Sequence, residues 1–145
     1  MKALYVAKYI LAKCTNDGHP ISNLQLQKIL YYIQYEFLTK YDEPLFEDDF
    51  EAWKFGPVIP SIYYKYCAGG SLKIISNDNA DEDFNDLYLN QKYVIDEIVE
   101  KQRIKYPWNL VNEVHKKNKA WDKVFSQGAG SGKIIQQKDI KENGF

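Results

Sequence analysis

Scarcity narrows the reading first. Among 145 residues there are two cysteines, Cys14 and Cys67, too few for a disulfide framework and suited to a reducing compartment. No apolar run approaches the roughly 20 residues that a membrane span needs. Residues 1–14 lack the continuous apolar block and small-residue cleavage site of a secretory leader. The expected setting is therefore cytoplasmic, with no membrane partner. A formal net charge of −1 gives no electrostatic case for general nucleic-acid binding. Two histidines, His19 and His115, with two unclustered cysteines, fall short of a zinc site. No metal and no cofactor are expected.

Catalytic motifs fail on inspection. Gly128–Lys133 resembles the end of a phosphate-binding loop, but Gln127 stands where the first glycine belongs and Ile134 replaces the metal-ligating hydroxyl. It reads instead as a mobile linker. The acidic run from Asn77 fails as a calcium loop, because Glu82 or Asp86 occupies the position that needs glycine. Both cysteines fall at expected helix C-termini, where the dipole disfavours a thiolate. His115 reads as a packing histidine. The chain is not expected to be an enzyme.

What is present in excess is aromatic mass: 15% of residues, including 12 Tyr and 3 Trp. Its densest stretch is Ala52–Tyr63, which reads as a strand from Phe50, a rigid Gly56-Pro57 corner and a short helix opening at Pro60. Pro57 pushes Gly56 toward an extended or positive-φ conformation. Pro60 suits the first helical position, where its missing N–H costs nothing, and Gly69-Gly70 closes that helix.

The remaining elements are mostly helical. Residues 2–14 carry Ala3, Ala7, Ile10, Leu11 and Cys14 on one stripe. In Ile21–Lys40, Ser22 and Gln25 form a capping box with Ile21 and Leu26 as its staple. Leu26, Ile29, Leu30, Ile33 and Phe37 share one face of that helix, and Leu24, Tyr31, Tyr35 and Leu38 lie near the opposite one. A helix apolar on both flanks is buried, so it is expected at the centre. Leu72–Ile75 reads as a short strand pairing with Phe50–Phe55. Tyr93–Ile104 is amphipathic, with Asp96, Glu100 and Arg103 outward. Trp108, Val111 and Val114 form the buried side of the next helix, Ala120–Phe125 is a short one, and Ile134–Phe145 is a final strand or helix. Acidic residues crowd Asp42–Glu51 and Asn77–Asp86, whereas lysines gather later, at Lys116, Lys117, Lys119, Lys123, Lys133, Lys138 and Lys141. The expected fold is mainly α: a compact single-domain helical bundle over residues 1–145, built around a central two-faced helix with a small β-hairpin-like patch.

A rigid aromatic corner without catalytic groups suits recognition of another protein. The expected partner-binding residues are Leu24, Tyr31, Tyr35, Trp53, Phe55, Pro57, Val58 and Tyr63. Two ordered blocks sharpen this. Ile21-Ser22-Asn23-Leu24-Gln25-Leu26-Gln27-Lys28-Ile29-Leu30-Tyr31-Tyr32 is similar to the Ser-x-Leu-x-Leu-Gln-Lys-Leu-Leu-Tyr-Tyr signature of the Panacea-domain family, the SocA-like antitoxins. The stretch from Phe50 to Tyr63 resembles that family's second signature, and the spacing of Leu110, His115 and Trp121 and the Ile140–Phe145 segment also resemble it. The resemblance implies a mainly helical domain from a bacterium or resident prophage that binds and neutralises a toxin encoded beside it. It also implies that the acidic Asn77–Asp86 loop is a variable region suited to partner-specific contacts. Alternatives are an operator-DNA autoregulator reading bases through Gln25, Gln27, Lys28 and Gln34, and an adaptor that hands its partner to an ATP-dependent protease with Gln127–Lys133 as tether. A second copy of the chain is a further admissible partner.

Overall fold

The computed structural model describes residues 1–145. Its elements run α1 (Ala3–Asn16), β1 (Ile21–Ser22), α2 (Asn23–Tyr41), β2 (Phe50–Trp53), β3 (Gly56–Val58), α3 (Pro60–Tyr66), β4 (Lys73–Ile74), α4 (Leu89–Gln102), α5 (Pro107–Val114), α6 (Ala120–Phe125), β5 (Ile134–Ile135) and α7 (Gln137–Asn143). The architecture is mainly α with small antiparallel sheets. No helix is long and apolar enough to cross a membrane.

The apolar stripe of α1 is buried, and Val6, Tyr9 and Ala12 join it. At the start of α2, the Gln25 N–H donates to Ser22 Oγ at 3.3 Å while the Ser22 N–H donates to Gln25 Oε1 at 3.0 Å. That reciprocal box satisfies two N–H groups the helix leaves over. α2 packs against α1, α3, α4, α5, α7, β1 and β3. Leu26, Ile29, Leu30 and Ile33 are fully buried, but so are Gln25, Gln27, Lys28 and Gln34 to within a few per cent. Its buried surface is thus partly polar.

β2 is the middle strand of a three-stranded antiparallel sheet ordered β3-β2-β5. Trp53 faces Gly56 and Ala52 faces Pro57 on one side, and Phe50 faces Ile135 on the other. The Gly-Pro corner is therefore the return strand of a tight hairpin whose turn is Lys54-Phe55. Leu72–Ile75 does not pair with Phe50–Phe55. Both edges of β2 are already occupied, and Lys73–Ile74 pairs instead with β1, Ile74 facing Ile21.

Three further expectations are corrected. The Gly128–Gly132 loop is no loose linker: the Gly130 N–H donates to Phe125 O at 2.9 Å, the Gly132 N–H to Ala52 O at 2.8 Å, and the Ala52 N–H to Lys133 O at 2.8 Å. A Cβ on Gly130 would fall 1.7 Å from the Val124 carbonyl oxygen, so only glycine lets the loop close. α4 starts at Leu89, four residues early, where the Tyr88 N–H is capped by Gln91 Oε1 at 2.9 Å. Asp96 and Arg103 are half-buried and engaged rather than free in solvent. Tyr9 Oη donates to Asp96 at 2.6 Å and Arg103 pairs with Asp17 at 2.7 Å, with Lys13 3.1 Å from both Asp17 and Glu100. These contacts lace α1 to α4.

Candidate partner-binding site

The first turns of α2 hold the hairpin by its backbone. Lys28 Nζ donates to the Pro57 carbonyl at 3.0 Å, and the Ile59 N–H donates to Gln27 Oε1 at 3.0 Å. Gln27 Nε2 in turn donates to Asn23 Oδ1 at 3.0 Å, and Asn23 Nδ2 donates to the Tyr63 carbonyl at 3.0 Å. Three polar contacts thus fix the β3–α3 segment against α2, and the Gln27–Asn23 bond orients two of the side chains that make them. Lys28 is fully buried, and burial pulls its ammonium down to about 7.

Around this clamp lies a groove of about 440 Å³, lined from α2 by Asn23, Leu24, Gln27 and Lys28 and from the hairpin by Trp53, Lys54, Phe55 and Val58, with Tyr63, Gly70 and Ser71 closing it. That volume is within the range of ordinary ligand clefts. The Trp53 ring stands edge-on to Tyr63 at 5.0 Å, with Tyr64 beyond it. Its indole N–H is taken by Glu51 at 3.1 Å, and its carbonyl accepts from Trp121 Nε1 at 2.8 Å. The ring is oriented while its face stays partly open. Phe55, 45% exposed, meets Trp108, 58% exposed, edge-on at 5.3 Å. Behind them His115 lies flat on Trp121, 3.8 Å between centroids. Its buried Nε2 has no hydrogen-bond partner, and burial, then the charge of Lys28, lowers its pKa.

Of the eight residues expected at a partner surface, five line the groove: Leu24, Trp53, Phe55, Val58 and Tyr63. Tyr31 does not belong with them. It is fully buried, edge-on to Phe50 at 5.2 Å and to Phe145 at 5.5 Å, because the opposite flank of α2 is covered by β2 and α7 rather than left open. Pro57 is buried and serves through its carbonyl. Tyr35 packs on Phe145 at 5.0 Å beside a different cavity. That second cavity, about 460 Å³, mixes Glu36, Glu97 and Glu113 with Lys40, Lys101 and Lys116, so its charges offset one another. Trp108 was expected in the core. An eight-residue helix shows just over two turns of periodicity, too few to decide which side Trp108 takes. Lys28 and Gln27 were read only as groups for DNA. The signal that could have found them is polar residues inside an otherwise apolar helical stretch, which must satisfy neighbouring backbone when buried.

Residues 26–122 match the family model described as Antitoxin SocA-like, Panacea domain. The chain belongs to the SocA-like Panacea-domain antitoxin family. The match takes in the body of α2, the hairpin, the groove lining apart from Asn23 and Leu24, and the His115–Trp121 stack. The chain is also similar to Antitoxin SocA of Caulobacter vibrioides (strain NA1000 / CB15N), 46% identical over 71 residues, a stretch spanning 49% of this chain and 38% of that relative. No solved structure matches it. Within this Panacea-domain chain, the residues offered for base reading are occupied inside the protein: Gln25 caps α2, Gln27 and Lys28 hold the hairpin, and Gln34 holds Leu45 and Phe46. The segment offered as a tether is stitched to β2.

Proposed function

We propose that residues 1–145 act in the cytoplasm as one antitoxin domain that neutralises, by direct contact, a toxin encoded by a neighbouring gene. The contact surface in this reading is the groove and its aromatic rim, with Leu24, Trp53, Phe55, Val58, Tyr63 and Trp108 as anchors. The observation that carries it is the Phe55–Trp108 pair, two large rings held against each other and half in water, on a hairpin whose backbone is locked from below. Large apolar side chains on a preorganised backbone are the usual carriers of interface energy, since little ordering entropy remains to be lost.

The experiment is co-expression with the neighbouring toxin gene followed by co-purification. Trp53→Ala and Trp108→Ala should each fold, because the Trp53 contact to Trp121 uses its backbone carbonyl and Trp108 supports no buried cluster. Each should weaken toxin capture by about thirtyfold, equivalent to about 2 kcal/mol for a hot-spot residue. Folded variants that capture toxin as well as the parent chain would remove the groove from the reading. Failure of the parent chain to rescue growth would remove the antitoxin role itself.

A further inference from the structure

Seven polar or charged residues are buried, and six of them are hydrogen-bonded through their side chains: Ser22, Asn23, Gln25, Gln27, Lys28 and Gln34. Gln102 is the exception. It is 6% exposed, and its Oε1 is buried with no hydrogen-bond partner. A carboxamide shut away from water in this state is destabilising, and folded chains keep few of them. Tyr31 Oη and His115 Nε2 are unpartnered as well. Of the three residues, Gln102 alone borders the cavity of about 460 Å³ bounded by α2, α4, α5 and Phe145.

The helix directs that side chain inward. Val94, Ile98 and Gln102 recur at every fourth residue of α4, so they share one face, and all three line the cavity. Helical side chains lean toward the helix N-terminus, which carries the Gln102 amide back toward Ile98. The cavity also has an aromatic wall, in which Phe145 lies stacked on Tyr32 at 4.1 Å and edge-on to Tyr35 at 5.0 Å. Its charges leave it neutral, three carboxylates meeting three ammoniums in the lining. Glu36 pairs with Lys40 at 3.5 Å, and Glu113 accepts from Tyr32 Oη and from Lys105 at 2.7 Å. Glu97, Lys101 and Lys116 are exposed, where solvent screens them. Such a lining favours an uncharged ligand over an ion of either sign.

We infer that this cavity binds a small, uncharged, planar molecule whose edge carries an N–H donor beside an acceptor, as a primary carboxamide or an amino-substituted nitrogen heterocycle does. The ligand's N–H donates to Gln102 Oε1, the Gln102 amide N–H donates to the ligand's acceptor, and the flat face lies along the aromatic wall. A glutamine carboxamide meets the amino group and neighbouring ring nitrogen of adenine in the same two-bond manner, so one side chain suits both ligand types. The volume is that of an ordinary small-molecule cleft. The inference stands independently of the antitoxin reading.

The test titrates the full ¹⁵N-labelled chain with benzamide and with adenosine. Each is run beside a counterpart dimethylated on its amide or exocyclic nitrogen, which keeps the ring but has no N–H on that edge. At least one of the two parent compounds should shift the Gln102 side-chain amide signals and bind at least about tenfold more tightly than its dimethylated form. A response to benzamide alone assigns the carboxamide, and a response to adenosine alone assigns the heterocycle. Gln102→Met keeps chain length and helix propensity while removing the carboxamide. It should lose the preference and, because an orphaned acceptor goes with it, melt no lower than the parent chain. No shift at Gln102 with either compound, the result if the cavity holds water alone, would overturn the inference. So would equal affinity for the parent and dimethylated compounds, or unchanged discrimination in Gln102→Met. A melting temperature several degrees lower in that variant would overturn it too, since the carboxamide would then already be satisfied in the unliganded protein.

Discussion

Lys28 is an amine held where water cannot reach it, answered by a single neutral carbonyl. Burial sets its ammonium at about 7, while a lysine in the unfolded chain titrates near ~10.4. Above pH 7 the unfolded state therefore binds more protons than the folded one, and stability rises with pH. His115, lowered from its ordinary value, acts below this window, and Cys14, raised from its own, opposes the trend only above about pH 8.5. Denaturant unfolding between about pH 7 and pH 8.5 should show a gain of about 1–2 kcal/mol in the parent chain and a flat profile in Lys28→Met. Gly56 belongs to the same cluster. A Cβ there would lie 2.8 Å from Lys28 Cε and 3.0 Å from Val114 Cγ2, at φ +117°. Gly56→Ala should cost about 2–3 kcal/mol by calorimetry, from strain and overpacking together. Gly18→Ala, at φ +72° with nothing within 4 Å of its Cβ, should cost about 1 kcal/mol from conformational strain alone.

At the level of elements, α2 works as a latch bar. Its glutamines replace backbone partners for chain segments that have no strand beside them. Gln34 Nε2 donates to Phe46 O at 2.7 Å, and its Oε1 accepts from the Leu45 N–H at 3.0 Å. Gln34→Ala strands both, and a loss of about 2–3 kcal/mol is expected, with hydrogen exchange accelerated at the Leu45 amide ahead of the α2 amides. Much of this element was legible beforehand. Ser22 and Gln25 announce the cap, Pro60 announces the start of α3, and Gly56 before Pro57 leaves an extended or a positive φ open, because each acts through local backbone chemistry. The strand partners were not legible. β1, β4 and β5 are two residues long, too short to show a period, and their pairing follows from which edges of β2 are already taken. The latch was missed for a related reason: in sequence a glutamine looks the same whether it faces water or a buried carbonyl.

At the level of the whole molecule, the groove was legible as an aromatic-rich stretch, but its membership was not. Trp53, Phe55 and Tyr63 stand together because they are close in the chain, while Trp108 joins them only through tertiary packing, and Tyr31 leaves them because α7 and Phe145 cover it. Retardation of upstream operator DNA should be absent at near-physiological salt, since the α2 side chains that would read bases are buried; a discrete shifted band would contradict that.

β5 comes from near the far end of the chain, yet it completes the sheet to which the Trp53 wall belongs. A product truncated before Ile134 would keep the α2 contacts to Pro57 and Ile59 but leave one edge of β2 with its backbone groups unpaired. The wall that carries Trp53 thus draws its flanking support from a segment about eighty residues downstream.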